Sequence, residues 1–167
     1  DVNPKDIQKK LKVLGAKKFF SGHVKASYYD YPDGRLTKAD KMLRLRKAGD
    51  RNELNFKGPN LSSIFKTREE TEILVDNFYS TSKILGSLGL KKNFESKKER
   101  ECYRLGSVKF DMDTLPGIPT LLEIEAPTEK QVKEYVEKLG FTMKQTTNMT
   151  VYQLEGYYKN KARNKSK

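Results

Sequence analysis

The sequence predicts an α+β fold in which helices pack against an antiparallel sheet, and three observations predict it. Some segments have helical period and caps at both ends; seven others alternate polar and apolar residues; and the polar side of that alternation is ionic.

The first helix is predicted in "NPKDIQKKLKVLG". Asn3 is the N-cap, Pro4 takes the first helical position, Asp6 faces the positive end of the helix, and an Ile7, Leu11, Leu14 stripe stops at Gly15. Strand alternation follows over Val24–Tyr31, and "PDG" at 32–34 is a turn. Strands over Met42–Lys47 and Glu53–Lys57 flank a second turn, "AGDRN" at 48–52. A strand over Thr67–Val75 leads into a helix from Asp76 to Gly89. Strands over Lys97–Leu105, Ser107–Asp113 and Thr120–Glu125 precede the helix of "TEKQVKEYVEKLG", which has a Thr128/Gln131 capping box, a Val132, Tyr135, Val136, Leu139 stripe and Gly140 at its end. Tyr157 and Tyr158 suit a last helix packing on the domain. Residues 1–158 are expected to form a single domain, and "KNKARNKSK" at 159–167 a basic, solvated tail.

These pieces repeat. Two Glu-x-Glu strands, Glu70/Glu72 and Glu123/Glu125, each run into a capped helix ending in Leu-Gly, and the first helix ends in Leu-Gly without such a strand before it. "LGAKKFFSGHVKASYY" and "LGLKKNFESKKERECY" align without a gap to a final Tyr, which marks two related halves. The expectation is that the chain begins partway through a unit, its first strand lying upstream of residue 1.

Composition narrows the chemistry. The 167 residues carry nine Tyr and eight Phe, enough aromatic mass for a real core. No apolar run reaches membrane-spanning length and no signal-peptide pattern opens the chain. Cys102 is the single cysteine, which forbids an intrachain disulfide and fits a reducing cytoplasm; His23 is the single histidine, which argues against Cys/His zinc centres and Ser-His-Asp catalysis. The net charge of +12 calls for an anionic partner. There is neither a Walker loop nor a dinucleotide glycine fingerprint, and no basic helix or nucleic-acid motif.

Strand alternation exposes where that charge sits. Arg44 and Arg46 share a face; Asn55 and Lys57 oppose Leu54 and Phe56; Arg68, Glu70 and Glu72 line up, as do Lys98 and Arg100, Asp111 and Asp113, Glu123 and Glu125. Two readings stay open. A half-buried sheet could show this face to water, the simpler outcome of period alone, or a closed sheet with helices outside could turn it around a highly charged ligand.

The set "YYDYPDGRL", "LRLRK", "NFKGP", "REETEI", "KER" before Tyr103, and "FDMDTLPGIPTLLEIEAP" resembles, in order from residue 1 to about Phe141, the CYTH superfamily of triphosphate tunnel metalloenzymes. The nearest resemblance is to class IV adenylyl cyclase-like proteins. It implies an eight-stranded antiparallel β-barrel, closed or nearly closed, with helices packed outside. The family's opening Glu-x-Glu-x-Lys strand is absent, Ala26-Ser27 replace a polar or acidic residue, and Pro119 replaces a common glycine.

The resemblance implies conversion of ATP to cyclic AMP and pyrophosphate, with inorganic or thiamine triphosphate hydrolysis as one alternative and a non-catalytic module for polyphosphate, nucleotide or RNA phosphates as another. Arg44, Arg46, Lys57, Arg68, Lys98 and Arg100 would neutralise the triphosphate, arginines as forks and lysines as point charges. Glu70, Glu72, Asp113, Glu123 and Glu125 would hold Mg²⁺ or Mn²⁺, since oxygen-only donors favour these over zinc; Asp111 shares their face, but only Asp113 falls on the family's aspartate. Lys57 and Tyr28 match residues thought to assist catalysis in the phosphatase branch. A small-molecule triphosphate is the expected partner, without nucleic acid or membrane, in a cytoplasmic protein that could form a homodimer.

Overall fold

A computed structural model of the protein describes residues 2–61 and 68–165. Its elements run α1 (Pro4–Val13), β1 (Lys17–Asp30), α2 (Arg35–Lys38), β2 (Met42–Ala48), β3 (Arg51–Lys57), β4 (Glu70–Leu74), α3 (Phe78–Ser87), β5 (Lys91–Leu105), β6 (Val108–Thr114), β7 (Leu121–Glu125), α4 (Glu129–Lys138), a 3₁₀ turn (Met143–Gln145) and α5 (Val151–Lys165). Helical backbone thus continues into the segment expected as a tail.

The three amphipathic helices begin and end as their sequences dictate. Asn3 accepts from the backbone of Lys5 and Asp6, and Thr128 from Gln131. The α3 cap is Asn77, one residue beyond the expected Asp76, accepting from Ser80 at 2.9 Å. At each C-terminus a glycine with positive φ follows a leucine: Gly15, Gly89 and Gly140 lie at 83°, 86° and 80°. The next residue then bonds back across the last turn, Ala16 to Leu11, Leu90 to Leu85 and Phe141 to Val136. This is the Schellman closure, in which an apolar contact accompanies the left-handed residue. The repeat seen in sequence is therefore a repeat of structure: α1 and α3 each turn through Leu-Gly into a long strand, β1 or β5, whose aligned tyrosines, Tyr29 and Tyr103, are both buried.

The expectation of an eight-stranded closed or nearly closed barrel is corrected. The described residues form one seven-stranded sheet, ordered β4-β3-β2-β1-β5-β6-β7, with β4 and β7 as its two ends. A barrel needs its first and last strands to pair with one another. Here β4 pairs with β3 and β7 with β6, and the sheet does not close. Strand centres agree with the sequence reading, but β1 and β5 start seven and six residues earlier than alternation alone placed them (Lys17 for Val24, Lys91 for Lys97). Their charged first turns have no clean period, so pairing with a neighbouring strand, not local pattern, makes them extended. Thr67, the expected start of the fourth strand, lies outside the described residues.

The chain divides into two compact units, one of Asp1–Ser21 and Glu99–Lys167, the other of Gly22–Lys98. In the first, Ile7 and Leu11 of α1 and Leu139 after α4 pack on Tyr103, Val108, Phe110 and Met112, the apolar side of β5–β7. In the second, Phe78 and Leu85 of α3 pack on Tyr29, Leu45 and Leu90. Period-two alternation then leaves the ionic side chains of each unit on the sheet face away from these helices. Among the described residues no helix is long and apolar enough to cross a membrane.

Candidate functional site

In the unit of Gly22–Lys98 the register lays the charged face out in rows. Tyr28, Arg44, Asn55 and Glu72 form one row across β1–β4; Arg46 stands opposite Glu53 in the next; Lys57 stands opposite Glu70 in the row on the other side. Cross-strand neighbours so placed either pair or repel. The outer rows pair. Arg46 Nε donates to Glu53 Oε2 at 2.7 Å, its Nη2 also contacts Glu53 and lies 3.5 Å from Glu72, Arg51 Nε holds the other Glu53 oxygen at 2.7 Å, and Lys57 is bonded to Glu70.

In the middle row Glu72 reaches the cations of the next row, but the two residues beside it do not pair. Asn55 is 1% exposed, yet neither its Nδ2 nor its Oδ1 has a hydrogen-bond partner among the described residues, and the buried Nε of Arg44 beside it is also unpartnered. A buried amide left unpaired costs about 1–3 kcal/mol. Tyr28, at the end of the row, sets its ring 5.3 Å from that of Phe94.

Arg68 is placed differently. Its Nη1 donates to the carbonyls of Asp40 and Gly58, at 2.8 and 3.0 Å, and its Nη2 to Asp40 Oδ1 at 2.9 Å, so it ties two loops. Lys98 lies half-buried on β5. A buried carboxylate also shapes this unit. Asp30, 3% exposed, accepts from the backbone N–H of Tyr31, Leu36 and Thr37 and from Thr37 Oγ1. Burial works to raise its pKa, but the Thr37 hydroxyl and the three backbone donors outweigh it and hold the carboxyl below its usual value.

In the unit of Asp1–Ser21 and Glu99–Lys167 the charged face is built around Arg100, which is 7% exposed. The pairing of β5, β6 and β7 puts Arg100 opposite Asp113 and Asp111 opposite Glu123. Arg100 Nε and Nη2 grip both oxygens of Asp113 at 2.6 and 2.7 Å, Nη1 reaches Asp111, and Nη2 reaches Glu123 at 3.2 Å. Burial opposes the charge of Arg100, but Asp113 and then the other acids more than compensate and raise its pKa. Lys109 joins the cluster, 3.1 Å from Asp111 and 3.4 Å from Glu125, and these acids likewise overcome its burial. Burial first, then the Asp111 carboxylate, pushes the Cys102 thiol up to about 12.

Apart from Arg68, the expected site residues are thus on the charged faces, in two sets. Tyr28, Arg44, Arg46, Lys57, Glu70 and Glu72 adjoin in one unit; Arg100, Asp113, Glu123 and Glu125 adjoin in the other, with Asp111 among them. Alternation extended by one step would have added Glu53 and Lys109, which share faces with Lys57 and Asp113. Nothing local marks Asn55, because being unpaired is a property of its surroundings.

The acids test how a divalent cation could be held. Among the described residues no three Asp, Glu, His or Cys side chains are arranged as a metal centre. Each expected ligand is turned to a cation instead: Glu70 to Lys57, Glu72 to Arg46, Asp113 and Glu123 to Arg100, Glu125 to Lys109. Among the described residues a protein-only cage does not form. The side chains of Glu123 and Glu125 are nevertheless 60% and 69% exposed, as a cation shared between one or two carboxylates and phosphate oxygens requires.

Comparison with known proteins places this arrangement. The CYTH domain matches residues 2–156. The chain belongs to the CYTH family. A Methanocaldococcus jannaschii protein is 28% identical over 132 residues, 79% of this CYTH chain and 73% of its own. The PH1012 protein of Pyrococcus horikoshii superposes with a TM-score of 0.80 at 25% identity, covering 92% of this chain and 94% of that one. A Vibrio parahaemolyticus protein reaches 0.84 at 17% identity, covering 93% of each chain, and shows the likeness of fold alone. The first and third bear the description "putative adenylate cyclase".

Proposed function

We propose that this CYTH chain acts on a triphosphate as a class IV adenylyl cyclase-like enzyme, converting ATP to cyclic AMP and pyrophosphate. The observation that carries the reading is the middle row of the Gly22–Lys98 unit, where Arg44 Nε and the Asn55 amide have no partner among the described residues, between rows of ion pairs. In that reading Arg44, Arg46 and Lys57 clamp the phosphates, the arginines as forks, with Arg68 and Lys98 of the same unit adding positive charge; Arg100 is the cation assigned to this role in the other unit. Binding then exchanges Glu53 and Glu70, the present partners of Arg46 and Lys57, for phosphate oxygens.

Cyclisation forms a bond from the ribose 3′-oxygen to the α-phosphorus and breaks the bond from that phosphorus to the bridging oxygen, releasing pyrophosphate; the hydroxyl proton passes to solvent water. Such a step asks for positioning and charge stabilisation more than covalent help. Lys57 supports developing charge on the phosphates, and Tyr28, one position from Arg44 in the row, orients the attacking group. Mg²⁺ or Mn²⁺ would neutralise phosphate charge when bound; the acids assigned to it are Glu70 and Glu72 in one unit and Asp113, Glu123 and Glu125 in the other. The work suits a cytoplasmic protein, where ATP is abundant and a lone Cys102 stays reduced.

The test is product identity. The full chain is incubated with ATP, inorganic triphosphate and thiamine triphosphate, each with Mg²⁺ and with Mn²⁺. Cyclic AMP is expected from ATP. Orthophosphate instead would make the protein a triphosphatase, and binding without turnover a phosphate-binding module; either would overturn the cyclase reading.

A further inference from the structure

We infer that Asn55 reads the substrate: with Arg44 it receives a ligand that sets a hydrogen-bond acceptor beside a donor, as a nucleoside triphosphate does and an inorganic triphosphate does not. The inference rests on the triphosphate reading above and deepens it. Asn55 lies between Glu53 and Lys57 on β3 and directly opposite Arg44 and Glu72, at the centre of the charged face of its unit. Its neighbours on β3 are engaged with cations or acids, but its own amide is not. A leucine or valine there would remove the orphan and pack against the same surroundings. A buried amide without a partner among the described residues is accounted for by a partner that arrives.

The inventory of the amide then limits that partner. Asn55 Nδ2 and Arg44 Nε are donors and need acceptors; Asn55 Oδ1 is an acceptor and needs a donor. The phosphate oxygens of an ionised triphosphate satisfy the first two and leave Oδ1 unpaired. A ribose hydroxyl on the same ligand supplies the missing donor. Access comes with binding, because the long side chains around the amide, Arg46 and Lys57, are those an anion draws away from Glu53 and Glu70. A site built to pair a hydroxyl discriminates against the analogue that lacks it, since the buried acceptor is then stranded.

The experiment compares ATP with inorganic triphosphate, both in the same Mg²⁺ buffer, by equilibrium binding and thermal melting of the full chain as wild type and as Asn55→Leu, with Asn55→Ala as a second variant should leucine fail to fold. We expect the unliganded variant to melt at or above the wild-type temperature. ATP affinity should fall about tenfold further than triphosphate affinity, the worth of one additional hydrogen bond. Equal losses for both ligands would give Oδ1 to a group they share and overturn the inference. Unchanged affinities would make Asn55 structural and overturn it as well, while ATP turnover to cyclic AMP would keep the triphosphate reading intact. A wild type that binds neither ligand would sink that reading and the inference together.

Discussion

At the scale of single residues the protein shows buried charge made tolerable by ion pairing. Arg100 uses all three guanidinium nitrogens on Asp111, Asp113 and Glu123. Removing it takes the guanidinium from two buried carboxylates, Asp111 and Asp113, so Arg100→Leu should lower unfolding free energy by about 3–5 kcal/mol in urea titrations. Arg100→Lys keeps the charge without the fork and should recover only part of that loss. A Leu variant as stable as wild type would mean the acids have found water.

Asp30 offers a second test with a defined pH window. Its four hydrogen bonds hold the turn from β1 into α2, and Asp30→Asn would set an amide donor against some of those donors, costing about 1–3 kcal/mol at neutral pH. The folded carboxyl titrates below its ordinary value of 3.8. Its ionised form is therefore the one folding favours: the stabilisation is fully present above the ordinary value and is lost as pH falls through the depressed folded one. The difference between wild type and variant in stability-against-pH curves should be flat from pH 7 down to about 5 and shrink below that.

Elements show the same logic in the backbone. In α3, Gly86 and Gly89 are three residues apart and do opposite things. Gly86 is exposed within the helix with open space where a Cβ would go, and Gly86→Ala should stabilise by about 0.5–1 kcal/mol. Gly89 also has room, but its φ of 86° strains any L side chain, and Gly89→Ala should destabilise by about 1–2 kcal/mol. Chemical denaturation of the two variants reads both signs, and a common sign would mean that the Schellman closure does not set the end of α3.

For the whole molecule, the net charge of +12 would attract any polyanion, so salt separates a nucleic-acid groove from a compact triphosphate site. A groove that neutralises six or more nucleic-acid phosphates loses about a thousandfold in affinity between roughly 50 and 200 mM salt. Triphosphate contacts fewer phosphates, and its affinity should fall by much less over the same range, about tenfold, as read by calorimetric titration. A loss for triphosphate as steep as that for RNA would mean that its binding is diffuse attraction to a basic surface.

What the sequence by itself determined is what neighbours within a few residues decide. Caps at Asn3 and Thr128, the three Leu-Gly helix ends, the strand centres and the segregation of ionic from apolar faces follow from backbone sterics and from periods of 3.6 and 2, and all were legible. So was the family, because its motifs are ordered runs of such local choices. Tertiary structure alone decided which strand meets which, and with it the chemistry. It left β4 and β7 as the two ends of a seven-stranded sheet, where the resemblance implied a closed eight-stranded barrel. It turned Asp113 and Glu123 to Arg100 and Glu125 to Lys109, and it left the Asn55 amide without a partner among the described residues. Closure, ion pairing and the absence of a partner depend on register between residues distant in the chain, which hydrophobic alternation within one strand does not encode.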